Sequence, residues 1–189
     1  MTDPTSGREA KARRTGASLL AAAAAVFVEE GVHAPIRDIA SRAGVGVGTV
    51  YRHFPHRAEL VVAVYRHQLE ECAALAPDLL AKGGAPSAAL EQWIDAFVEF
   101  LVTKHGLGMA LQSEDPSLQS LHTLMLDKLV PACASLLEAG VAADEIDPRL
   151  TAHQLMRAVG NLCILGPGYD RTDATEMVSR LLAGCRRTL

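Results

Sequence analysis

Between residues 34 and 60, APIRDIASRAGVGVGTVYRHFPHRAEL, a hydroxyl, a phenol, a guanidinium and an imidazole crowd together as Thr49, Tyr51, Arg52 and His53. Their shared chemistry is hydrogen bonding. Val50 and Phe54 are four apart and take the inner side of a short helix, which leaves the polar four largely outside. Polar groups on the outer side of a short helix are what a DNA major groove accepts.

The elements that must hold these groups are legible just upstream. Ile36, Ile39, Ala40 and Ala43 form an apolar stripe at helical spacing, and Pro35 suits a first helical turn. Gly44 stops that helix where the chain needs positive φ, a conformation cheap only without a Cβ. Ala40 lies four residues before Gly44 and Val50 six after it. A small residue at the crossing, a sharp turn and an aliphatic knob make a helix-turn-helix, with helices over 35–43 and 47–54.

This stretch resembles the TetR family of transcriptional regulators, whose pattern is an Ala-Gly-Val turn, two variable residues, Gly-Thr, an aliphatic, Tyr-x-His-Phe and a following basic residue. Here these are Ala43-Gly44-Val45, Gly46-Val47, Gly48-Thr49, Val50, Tyr51-Arg52-His53-Phe54 and Arg57. Two departures stand out: Val47 where many relatives carry a phosphate-touching lysine, and Ala34 where a Ser or Thr cap is usual. The resemblance implies that Thr49 and Tyr51 meet base edges or phosphates and that Arg52 reads guanine through two acceptors. It further implies that His53 and Arg57 grip phosphates, that Arg37 adds another grip, and that Gly48 permits close backbone approach.

The chain of 189 residues is 49% apolar and 21% charged, which marks it as globular. Its net charge of −4 is uneven. Residues 1–67 carry nine Lys/Arg against six Asp/Glu, and the remainder nine against sixteen. An acidic total argues against indiscriminate coating of nucleic acid, whereas a locally basic N-terminal third suits a docking face. The most basic run spans Arg8 to Arg14, and reads equally as a solvated helix start or a phosphate contact.

Cys72, Cys133, Cys163 and Cys185 are dispersed without a C-x-x-C pair and read as buried free thiols. The histidines lack metal-ligand spacing, so no metal or other cofactor is expected. No signal-peptide pattern or membrane-length apolar run occurs, and a cytoplasmic location is expected. Neither nucleophile elbow, phosphate loop nor paired-carboxylate motif is present, which argues against an enzyme. Gly44-Val45-Gly46-Val47-Gly48 follows a helix rather than a strand, so a dinucleotide fingerprint fails on context. A protein-binding module that reuses the helix-turn-helix is the other non-enzymatic alternative.

Along the chain, a disordered lead over 1–7 precedes a first helix over 8–30, on which Leu19, Ala23, Val26 and Phe27 keep a helical rhythm until Gly31. After Pro55 a fourth helix is expected over 56–75, then a hinge over 76–86. Beyond it come helices over 87–104 with Ser87 as cap, 107–112, 116–139, 148–165 opened by Asp147-Pro148, and 173–187. The expectation is an all-α chain of about nine helices, with a three-helix DNA-binding domain over 8–55 and a helical effector-binding and dimerisation domain over 56–189.

By the same resemblance, the last two helices pair two copies across a two-fold axis, so that a homodimer reads palindromic double-stranded operator DNA and acts as a repressor. A small apolar or amphipathic effector releases it. Trp93, Phe97, Met109, Met125 and Met156 are candidate pocket-lining residues, and His122 or His105 a polar anchor.

Overall fold

The computed structural model describes residues 4–110 and 116–187, and their side chains within 15–101 and 123–187. Among these residues the chain is all helix: α1 (Pro4–Glu30), α2 (Ile36–Arg42), α3 (Val47–His53), α4 (Arg57–Ala81), α5 (Pro86–Ala110), α6 (Pro116–Ala142), α7 (Ala152–Leu162) and α8 (Arg171–Cys185). Two isolated bridges, Ile146 with Arg186 and Gly166 with Tyr169, are the sole β-type pairings there.

Two compact units emerge. One holds the chain through His67 together with the end of α5 from Gly106, and the other holds the rest. In the first, α1 packs on α2 and α2 on α3. Its core is Leu19, Ala23, Val26, Phe27, Ile39, Ala40, Val50, Leu60, Val61 and Val64, all buried. In the second, α6 packs on α7 and α7 on α8. Trp93, Ile94, Leu129, Leu136, Leu155 and Val159 are buried at its centre.

Several boundaries differ from expectation for local physical reasons. The lead is shorter, because Pro4 begins α1; proline tolerates a first turn where no N–H partner is needed. The hinge is also shorter. α4 runs through Pro77 because Ala76 and Leu79 are buried, and their packing outweighs the missing backbone hydrogen bond. The chain turns instead at Gly83 and Gly84, with φ of 73° and 108°.

α5 continues to Ala110 as one helix, which absorbs the start of the separate piece expected at 107–112 and leaves eight named helices rather than nine; Gln112 lies outside the described residues. Ser87 is not its cap by side chain. The Ser87 backbone N–H donates to Glu145 Oε2 at 2.8 Å, so a carboxylate from a distant loop closes that end. Hydrogen bonds from Ser87 hold the Glu145 carboxyl below its usual value.

α7 starts later than Asp147-Pro148 suggests. Thr151 caps it through a reciprocal box with Gln154: Gln154 N–H donates to Thr151 Oγ1 at 3.3 Å, and Thr151 N–H donates to Gln154 Oε1 at 3.1 Å. Asp147 binds Arg149 instead, which lowers its carboxyl to about 2. Asp170 caps α8 through the same kind of box with Asp173.

Candidate nucleic-acid interface and effector cavity

The turn between α2 and α3 is built as its glycine demands. Gly44 has φ 66°, Val45 N–H donates to Ala40 O at 3.0 Å, and Gly44 N–H donates to Ser41 O at 3.1 Å. That paired closure satisfies the last carbonyls of α2 and aims the chain into α3. Val50 is 1% exposed, so the aliphatic knob is seated.

With Val50 inward, helical geometry turns the rest of α3 out. Tyr51 is 51% exposed, Arg52 and His53 are exposed, and Thr49 is half-buried. Tyr51 and Arg52 have no hydrogen-bond or ion-pair partner among the described residues; the His53 ring lies 6.2 Å from that of Phe54. Gly48 is exposed, and a Cβ there would meet nothing within 4 Å. No packing contact among the described residues requires that glycine. Arg37 lies at the start of α2, 79% exposed, 3.5 Å from Asp38.

Arg57 departs from its expected task. Its guanidinium donates to the Val32 carbonyl and, at 2.6 Å, to the Ala34 carbonyl, so both terminal nitrogens pin the α1–α2 connection. It fixes the segment leading into α2 but does not replace the side-chain cap missing there, because the free N–H groups of the first turn need an acceptor and a guanidinium only donates. A second brace joins the ends of α1 and α2: Arg42 grips Glu29 bidentately, with one bond at 2.8 Å, and holds the Glu29 carboxyl low. Arg57 and Val32 are 25 residues apart, and no local pattern announces such a pairing.

Within the second unit, a cavity of about 510 Å³ opens between α5, α6 and α7. Phe97, Met125 and Met156 line it, joined by Leu101, Val130 and Gly160. Trp93 does not. It is fully buried, its Nε1–H donates to the Cys72 carbonyl at 2.9 Å, and its ring stacks 5.6 Å from Phe97, so it backs the wall rather than facing the space. The side chains of Met109, His105 and His122 lie outside the described residues. His153, Arg157 and Asn161 also line the cavity, on one stripe of α7. Their four-residue spacing is the sequence signal that places them on one helix face.

On α7 and α8, Leu155, Met156, Val159, Cys163, Val178 and Leu182 are buried within the chain itself. Leu150, Leu162 and Leu181 are half-buried, while Met177, Ile164 and Leu165 are 39%, 59% and 38% exposed. A more open groove of about 520 Å³ runs past Leu150, Ala158, Leu181 and Gly184.

Burial raises the Cys72 and Cys133 thiols to about 12, so they are inert packing groups at neutral pH. Among the described residues no cluster of three or more His, Cys, Asp or Glu could hold a metal ion, and no helix is long and apolar enough to cross a membrane.

A glycine-stopped helix, a seated valine and an outward polar face together define a helix-turn-helix head on an all-helical body. Residues 19–64 match the family model of bacterial regulatory proteins of the tetR family. The TetR transcriptional regulator SCO0520 from Streptomyces coelicolor is 30% identical, over 91% of this chain and 98% of that one, with a TM-score of 0.79. The chain therefore belongs to the TetR family of transcriptional regulators. A TetR regulator from Mycobacterium vanbaalenii is 29% identical over 95% of this chain and 99% of its own, with a TM-score of 0.74. The transcriptional repressor KstR2 of Rhodococcus jostii is 33% identical over 59% of this chain and 53% of its length. The chain thus spans about half the length of that curated relative.

Proposed function

We propose that this protein is a ligand-responsive repressor that binds a palindromic operator as a homodimer. The outward set of α3 carries the reading: Tyr51, Arg52 and His53 are exposed beside a buried Val50, with Tyr51 and Arg52 unpartnered among the described residues. Arg52 reads guanine through O6 and N7, Thr49 and Tyr51 touch base edges or phosphate, and His53 and Arg37 hold phosphates. Gly48 lets the backbone close on the duplex. Arg57 holds the frame that aims them.

One short recognition helix spans few base pairs, so specificity calls for two copies about 34–36 Å apart. The half-buried Leu181, the exposed Met177 and the small Ala158 and Gly184 on α7 and α8, with the half-buried Leu150 just before α7, supply a self-complementary face. An effector in the α5–α7 cavity favours a spacing of the heads that DNA does not, and by reciprocity DNA weakens the effector equally. Repression requires only promoter occupancy, and the KstR2 relatives are named repressors. A protein that occupies promoters works in the cytoplasm.

Selection from a randomised duplex library, followed by fluorescence anisotropy at rising salt, tests this. The expected result is a palindrome bound with steep salt dependence. Recovery of no enriched sequence, or binding that ignores salt, would favour the protein-binding alternative.

A further inference from the structure

The cavity also has a chemical signature. His153, Arg157 and Asn161 recur every four residues on α7, and among the described residues no carboxylate lines the space. Arg149, Arg171, Arg180, Arg186 and Arg187 in this unit are each paired with an acid. Arg157, the remaining arginine of the unit, has no ion-pair partner among the described residues, and it stands at the cavity. The neighbouring stripe of α7, Met156 and Gly160, with Ile164 just past the helix end, is apolar, and a Cβ on Gly160 would meet nothing among the described residues within 4 Å. A cation at one edge of an apolar space of about 510 Å³ matches a ligand with two unlike ends.

We propose, resting on the effector reading above, that this cavity binds a single-tailed amphiphile with an anionic head, a carboxylate or a phosphate. The Arg157 fork holds the head, with His153 and Asn161 beside it. The tail lies among Phe97, Met125 and Met156. A cationic head meets the guanidinium unfavourably. A planar ligand finds one aromatic face, Phe97, already stacked on Trp93.

Isothermal titration of the full chain with decanoate, decyl phosphate, decanol and decyltrimethylammonium tests the assignment. Both anions should bind, decanol about tenfold or more weaker, and the ammonium not at all. Each methylene added to the carboxylate should tighten binding about fourfold until the space is full. The stronger of the two anions names the head. Arg157→Gln should erase the gap between decanoate and decanol while leaving decanol unchanged, and Gly160→Leu should weaken both by filling the space.

Decanol binding as tightly as decanoate would overturn the proposal, as would selectivity that survives Arg157→Gln. So would an Arg157→Gln protein that turns monomeric, since the guanidinium would then belong to a partner subunit's carboxylate. Operator release is read separately. If decanoate binds as described but the selected duplex is retained, the cavity assignment stands and ligand-controlled repression falls. If no duplex is selected at all, the DNA reading falls and the calorimetry still decides the cavity.

Discussion

α3 and α7 are both short helices, and they spend their residues in opposite ways. α3 buries one side chain, Val50, has no side-chain cap, and turns its polar groups out. α7 buries Ala152, Leu155, Met156 and Val159 and closes its own start with the Thr151–Gln154 box. A seven-residue helix cannot hold itself in water. α3 therefore depends on the Gly44 turn and the braces of Arg57 and Arg42, which frees its surface for a partner. α7 contributes to the core and offers only its edges, one to the cavity and one to the groove beside α8.

The sharpest way to break that contrast is to remove an aromatic from each unit. Trp93→Ala should cost about 3–5 kcal/mol in chemical denaturation, because a fully buried ring and its hydrogen bond to Cys72 are lost. Tyr51→Ala should change stability by less than about 0.5 kcal/mol while weakening duplex binding. A large loss of stability for Tyr51→Ala would mean that α3 is a packing element like α7.

Next in size is the division of labour within the head. Arg52→Ala should cost about 1–3 kcal/mol on the selected palindrome and little on unrelated duplex. Arg57→Gln should destabilise the head by about 1–3 kcal/mol through two unsatisfied carbonyls, weaken all duplexes, and leave the salt slope unchanged. A slope flattened by about one unit would return Arg57 to the phosphates.

Thr151→Ala tests the self-support of α7 and should cost about 1 kcal/mol in thermal or chemical unfolding; no change would place α7 beside α3 as a helix held only from outside. The smallest effect expected is on the thiols. Burial raises Cys72 and Cys133 to about 12, so the stability tied to their neutral forms is complete below their unfolded value near 9. That stability is lost only as pH climbs from there toward about 12. Alkylation at pH 8 should spare both in the folded protein and label them after denaturation.

The same contrast explains what could be read from the sequence. Gly44, Val50 and the polar row of α3 act through local spacing, so the head and its exposed face were legible from residues alone. So was the all-helical class. The braces were not, since Glu29 and Arg42 meet only after α1 and α2 pack. The four-residue spacing of Trp93 and Phe97 puts both on one helix face, and both are buried; of the two, Phe97 borders the cavity, a difference that spacing does not encode. Asp147-Pro148 imitated a helix start, and Arg149 claimed the carboxylate instead.

Methylation interference on the selected palindrome tests the central claim most directly, because it places a methyl group on guanine N7 in the major groove, where Arg52 is expected to bond. Loss of binding should map to guanines in two half-sites about one helical turn apart, and Arg52→Ala should abolish that sensitivity. Interference confined to the minor groove, or a footprint with a single half-site, would contradict the account.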